Sequence, residues 1–147
     1  MAASITVSEN ITLVTLHNIP AEITFITDVF SKIAAMDVDV DMISLAPVQS
    51  SKTSLSFTIV DDDLVKILSY TSGLGDSDIR PIVSSGNCKI SIDDAGMEHC
   101  PGVAAGIFSK VAAAEADIRL ITTSEAQVSI LVAKSDLDRV YSMLDGQ

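Results

Sequence analysis

Phe30-Ser31-Lys32-Ile33-Ala34-Ala35 is spelled again, almost letter for letter, as Phe108-Ser109-Lys110-Val111-Ala112-Ala113, 78 residues further on. The same offset carries Asp39-Val40-Asp41-Met42-Ile43-Ser44 onto Asp117-Ile118-Arg119-Leu120-Ile121-Thr122. A repeat of this period makes the chain two copies of one supersecondary unit. Its 147 residues suffice for two small units, each of about 70 residues and marginal alone, that stabilise one another by packing.

Working outward from the repeat, Ile26, Val29, Phe30 and Ile33 are spaced i, i+3, i+4, i+7, which predicts a helix with one buried face; Ala104, Ile107, Phe108 and Val111 do the same in the second copy. A β-branched run follows each helix, Val38 to Leu45 and Ile118 to Thr122, and predicts a strand. Then Leu55, Phe57 and Ile59 alternate with Ser54, Ser56 and Thr58, and Val128, Ile130 and Val132 alternate likewise, so one sheet face is apolar. A second helix carries Leu64, Ile67 and Leu68, matched by Leu137, Val140 and Tyr141, with Ser135 and Asp138 as a capping box. The offset has now dropped to 73, which places a five-residue shortening between the two preceding strands. That loop is long and polar from Pro47 to Thr53 and tight from Thr123 to Ala126.

Strands at Ile11–Leu16, Ile79–Val83 and Lys89–Ile92 complete the count. The first copy reads βαββαβ, a ferredoxin-like α+β unit with helices on one face of an antiparallel sheet. The second copy ends after its second helix and lacks a fourth strand, while Ser4-Ile5-Thr6-Val7 is a spare strand set apart from Ile11 by Ser8-Glu9-Asn10. The expectation is that this segment completes the second sheet, since an interior strand would otherwise be left as an open edge. The first unit, residues 10–85, is then inserted in the second, residues 86–147 plus 3–8.

The stretch Ala95-Gly96-Met97-Glu98-His99-Cys100-Pro101-Gly102-Val103-Ala104-Ala105, with Phe108 and Ile118-Arg119-Leu120-Ile121-Thr122-Thr123-Ser124-Glu125 beyond it, resembles the second ACT domain at the C-terminus of aspartokinases. The resemblance implies a tandem of ACT units that dimerises and binds an amino-acid effector, typically lysine or threonine, between first strand and first helix. Carried onto this chain, the implied ligand contacts are Met97, Glu98, His99, Cys100, Pro101, Gly102 and Val103 with Ile121 and Thr122. In the first copy they are Asn18, Ile19, Glu22, Ile23 and Thr24 with Asp41 and Met42. A helix N-terminus, with unpaired N–H groups and the positive end of the dipole, suits a carboxylate there. Pro101-Gly102 fits such a turn, although the same residues also suit a loop that merely starts a helix.

The first copy departs from the aspartokinase pattern G-I-P-D-x-P-G, reading Asn18-Ile19-Pro20-Ala21-Glu22-Ile23-Thr24. Ala21 stands where an Asp would meet an ammonium, Ile23 and Thr24 replace Pro-Gly and crowd a ligand, and Leu45-Ala46 replace Gln and Asn. Lysine or threonine is thereby in question for this copy.

Composition excludes other classes. Nine Lys+Arg against 20 Asp+Glu give a net charge of −11, which repels nucleic acid and anionic membrane surfaces. No apolar run approaches the roughly 18 residues of a membrane span. Met1-Ala2-Ala3-Ser4 lacks the features of a secretory signal, and the two cysteines make no disulfide framework, so a cytoplasmic protein is expected. His17, His99, Cys88 and Cys100 lack metal-ligand spacing, and Cys100 beside His99 has no third orienting group for nucleophilic catalysis. Asp61-Asp62-Asp63 reads as a helix start rather than a cation site. Neither loop between first strand and first helix holds the Arg that acylphosphate hydrolysis needs, and Gly73-Leu74-Gly75 follows a helix and reads as a linker. The expected function is therefore a non-catalytic, cofactor-free regulatory module, a homodimer that responds to an amino acid and acts on a partner, by resemblance an aspartokinase catalytic chain. The rivals are an assembly module with degenerate ligand sites and an enzyme with an unrecognised thiol or metal site.

Overall fold

The computed structural model describes residues 4–74, 79–98 and 100–145. The elements are β1 (Ser4–Pro20), α1 (Ile23–Ala35), β2 (Ile43–Leu45), β3 (Lys52–Val60), α2 (Leu64–Ser72), β4 (Arg80–Asp93), α3 (Val103–Ala113), β5 (Ile118–Thr123), β6 (Gln127–Ala133) and α4 (Leu137–Asp145). Neighbouring strands follow the order β2-β3-β1-β4-β6-β5. Contacts group described residues 11–74 and 79–85 into one unit, and residues 4–10 with 86–98 and 100–145 into another. The first unit contains β2-β3-β1-β4 and the second β1-β4-β6-β5, each with two helices. Both are ferredoxin-like βαββαβ units, and the first is inserted in the second.

Two long strands make the insertion possible. The sequence suggests breaks at Ser8-Glu9-Asn10 and between Val83 and Lys89, yet β1 and β4 each run unbroken. Each instead carries one left-handed residue where the units divide, Asn10 at φ 61° and Gly86 at φ 72°. Asn is among the few side chains that tolerate this conformation, and Gly has no Cβ to clash. The left-handed residue changes the pleat without ending the strand. In β1 the core-facing side chains are odd-numbered at Ile5 and Val7, which pack against the second core, and even-numbered at Val14 and Leu16, which belong to the first. A second shift between Leu16 and Ile19, with Asn18 at φ 63°, returns Ile19 to the first core.

Each unit buries one apolar layer. In the first, Leu55, Phe57 and Ile59 of β3 meet Ile26, Val29 and Ile33 of α1, and Phe30 stands edge-on to Phe57 at 5.9 Å between ring centres. Such a pair adds about 1 kcal/mol beyond its buried area. In the second, Val128, Ile130 and Val132 meet Ile107 and Val111. The second helices bury a narrower stripe than the sequence spacing suggests: Ile67 and Thr71, or Val140 and Leu144, face inward, while Leu68 and Tyr141 stay 39% and 37% exposed. The run Val38 to Leu45 is a strand only at Ile43–Leu45. There the Thr58 hydroxyl accepts the Met42 N–H at 2.9 Å, so a side chain takes a place in the ladder and the backbone leaves regular pairing.

One device, not visible in the repeat as first aligned, recurs in both units. Lys66 Nζ on α2 donates to the Met36 carbonyl at the end of α1 (3.2 Å), and Arg139 Nε on α4 donates to the Ala114 carbonyl at the end of α3 (3.1 Å). Each base is steadied by the acid three residues earlier, Asp63 or Asp136, in the 3-10 turn that opens its helix. The last carbonyls of a helix have no intrahelical partner, so a cation there supplies both a hydrogen bond and a favourable dipole interaction. Asp136 is thus the working acid of α4, and the expected Ser135–Asp138 box is not among its bonds in the described residues.

Candidate functional site

In the second unit the turn after β4 is built by backbone and one carboxylate. Asp94 Oδ1 accepts the Gly96 N–H at 2.8 Å and caps the 3-10 turn Ala95–Met97. A Cβ on Gly96 would lie 3.0 Å from that same oxygen, so any other residue there would push on the capping carboxylate. The Cys100 N–H then closes on the Met97 carbonyl at 3.0 Å.

Gly102 caps α3 with φ 95°, a left-handed conformation that L side chains rarely adopt; the space beside it is open, so the requirement is conformational rather than steric. The first bond of α3 runs from the Gly106 N–H to the Gly102 carbonyl at 2.9 Å. The N–H groups of Val103, Ala104 and Ala105 therefore stand at the open end of α3. Pro101 lies before the cap rather than in the first helical turn, and it has no N–H to give. The donors available to a carboxylate are thus those of residues 102–105, one position later than the Pro-Gly pair suggests.

Around this helix start, Glu98, Cys100, Pro101 and Gly102 are exposed, while Met97 and Val103 are half-buried against the second core. His99 lies outside the described residues. Ile121 and Thr122 sit on β5, close to the end of the sheet from which this turn leaves. β6 stands between β5 and β4, which puts them two strand spacings, about 10 Å, to the side. Cys100 is an exposed free thiol, Cys88 is buried in the core, and no group of metal-ligating side chains occurs among the described residues.

The first unit is different in kind. Glu22 caps α1 without a side-chain bond, and Ile23 is 72% exposed on the first turn, with Thr24 exposed beside it. The Phe25 N–H is already taken by the Glu22 carbonyl at 3.1 Å, leaving fewer donors open. Two expected contacts are core residues here: Ile19 is fully buried and Met42 nearly so, and neither side chain reaches a ligand at the surface. Asp41 and Met42 are also at the wrong end. Both pair with Thr58, which lies opposite Leu13, whereas α1 begins beyond Pro20. Seven residues of strand separate them, about 20 Å. Asn18, Glu22, Ile23 and Thr24 thus lie at the end of the sheet where α1 begins, and Asp41 and Met42 towards the other.

A cavity lies at this same end, and of the expected contacts it includes Asn18. Asn18, Ala46, Pro47, Gln49, Lys52, Thr53 and Ser54 line a space of about 240 Å³. The signal for it was the five extra residues of the loop between β2 and β3.

Residues 90–146 match the ACT domain family model. Aspartokinase from Mycolicibacterium smegmatis is 31% identical over 140 residues, 91% of this chain and 32% of that protein. The chain spans about a third of the length of the curated relatives it matches. Among solved structures, aspartate kinase from Synechocystis superposes with a TM-score of 0.89 at 29% identity, covering 97% of this chain and 26% of that one. The ligand-free regulatory subunit of aspartate kinase from Thermus thermophilus superposes with a TM-score of 0.87 at 24% identity and covers 97% and 95% of the two chains, a likeness of fold. This chain resembles the regulatory region of aspartokinases. Its likeness runs through both units, including the inserted one, since the aligned stretch is nearly the whole chain. Among the described residues no helix is long and apolar enough to cross a membrane.

Proposed function

We propose that the chain is the ligand-sensing part of an aspartokinase-type regulatory system, non-catalytic itself, which takes up an amino acid at the start of α3 and passes the change to a catalytic chain. The carrying observation is the opening of α3: a left-handed Gly102 followed by the first amides of the helix, which have no intrahelical acceptor, with the acidic side chain of Glu98 exposed in the preceding turn. Escherichia coli aspartokinase III has been solved in complex with lysine and aspartate, and it superposes on this chain with a TM-score of 0.75. Two copies of the chain would work as a homodimer in the cytoplasm, and the effector would act by binding one packing arrangement better than another.

Lysine and threonine are the first ligands to test. Calorimetric titration of the full chain with each should give saturable binding, and the melting temperature should rise with ligand, because a ligand specific for the folded state stabilises it. Amide shifts at residues 102–105 should accompany binding. A flat response to all common amino acids, together with a concentration-dependent dimer, would instead favour an assembly module. Ile43, Leu45 and Val48 support that second reading, because they are about half exposed along the edge strand β2 and the hairpin that follows it.

A further inference from the structure

The two copies treat the space between their helices differently. At the offsets of 78 and 73 residues, Ala114 and Met143 of the second copy stand where the first has Met36 and Tyr70. Met36 and Tyr70 are half-buried and pack against the first core. In the second copy the floor is the buried methyl of Ala114, and Met143 stays 38% exposed at the side. A groove of about 460 Å³ is left between the end of α3 and α4. The frame around it is shared by both units, since Arg139 ties α4 to the Ala114 carbonyl as Lys66 ties α2 to that of Met36. The second copy keeps the tie and leaves out the filling.

The rim of this groove is acidic. Glu115 and Asp138 line it, are exposed, and have no ion-pair partner among the described residues. Asp138 stands where the first copy has Val65, so this charge belongs to the second copy alone. The C-terminal end of α3 adds the negative pole of its dipole. Arg139 also lines the groove, but its guanidinium is committed to the Ala114 and Ser135 carbonyls and to Asp136. The groove is therefore apolar on its floor and electronegative at its edge.

We infer that this groove docks a basic segment of a partner polypeptide, with one aromatic or long aliphatic side chain laid over Ala114 and Met143 and a neighbouring lysine or arginine at Glu115 and Asp138. The apolar part follows from the first copy, which fills the same place with a tyrosine and a methionine of its own. The basic part follows from the charge of the rim. Of the walls named here only Ala114 is buried, so a free small molecule would remain wet on one side, whereas small-ligand sites enclose most of their occupant. A second copy of the chain, with 20 acids against 9 bases, would bring like charge to the rim. The groove lies at the opposite end of α3 from Gly102, 11 residues along the helix, or about 16 Å, and the inference does not rest on an effector there.

The test titrates the full chain, followed by amide shifts, with three peptides: acetyl-Ala-Lys-Tyr-Lys-Ala-amide, the same peptide with Glu for both lysines, and the same with Ala for the tyrosine. The first should shift residues 112–116 and 138–143 saturably, and bind more weakly as salt rises. Each of the other two should bind at least about tenfold more weakly, from like charge in one and loss of the ring in the other. Asp138→Val, which installs the first copy's residue at an exposed position, should weaken the lysine peptide about two- to fivefold. Ala114→Met with Met143→Tyr should fill the groove and abolish binding, with circular dichroism confirming the fold; if that double variant does not fold, Asp138→Val and the peptide series decide. No saturable shift at these residues, equal binding of the acidic peptide, or unchanged affinity in Asp138→Val would each overturn the assignment. So would shifts at the same residues that depend on protein concentration alone, which would give the groove to a second copy.

Discussion

If Ile5 and Val7 complete the core of the second unit, shortening both to alanine should loosen that unit in particular. Both side chains are half-buried, packed against a layer that includes Ile90, Ile130 and Val132. Complete burial makes an isoleucine-to-alanine change cost about 2–5 kcal/mol, so half burial scales it to about 1–2, and the valine adds about 0.5–1. The nearby Glu9–Lys134 pair, 3.9 Å apart and exposed, adds nothing to the sum. The double variant should therefore lose about 1.5–3 kcal/mol. Every 1.4 kcal/mol is tenfold, so hydrogen-exchange protection of the amides at 88–92 and 128–132 should fall by about 12- to 140-fold. Exchange read by NMR resolves those strands individually. Protection there equal to the parent would refute the reasoning, because Ile5 and Val7 would then support nothing in β4 or β6.

Three other perturbations test separate links. Gly102→Ala forces a Cβ into a left-handed backbone and should cost about 1–2 kcal/mol in urea unfolding, with weaker effector binding; an unchanged midpoint would show that α3 can start another way. Arg139→Met should destabilise by about 1 kcal/mol and Lys66→Met by less, since Arg139 bonds two carbonyls and a carboxylate whereas Lys66 reaches one carbonyl and holds its acid at 3.7 Å; equal effects would remove the distinction. Burial, and after it the charge of Asp28, raises the Tyr70 phenol above its ordinary value of 10.0. The folded state then keeps this proton after the unfolded chain has released it, so the stability Tyr70 contributes is full below about pH 10 and declines as pH climbs beyond. Ultraviolet titration should show Asp28→Asn removing the smaller part of the shift, and a return to the ordinary value would reverse the order of causes.

The repeat made the architecture legible, because period-3.6 and period-2 faces are set by local spacing and both copies carry them. The strands meant to be separate were not legible. A polar triplet such as Ser8-Glu9-Asn10 looks like a loop when the alternative, one left-handed asparagine inside a continuous strand, leaves no compositional mark. The α3 site was half legible. Pro-Gly located the turn, but which amides stay open depends on the backbone angle of Gly102, which spacing does not encode. Asp41 and Met42, carried over by resemblance, lie away from the start of α1, because sequence alone does not say which end of a strand faces a helix start. The hairpin cavity was seen only as a length difference, since its walls come from two segments that a bulge and a tight turn bring together.

Comparing the units separates what holds the fold from what acts on it. The acid–base pair that caps the preceding helix is kept at equivalent positions, Asp63 with Lys66 and Asp136 with Arg139, although lysine has become arginine and the loops around it differ. Both pairs answer the same need, an orphan carbonyl at a helix end, which exists wherever this unit exists. The helix starts and the β2–β3 connection share no such constraint, and there the copies part: Gly102 with open amides in one, exposed Ile23 in the other; three linking residues in one, a strained hairpin around Lys52 in the other. Strain on Ser50 and Ser51 lowers stability, and a shorter link was available to this fold, as β5 and β6 demonstrate. The parts that differ between the copies are therefore set by something other than the stability of the fold they share.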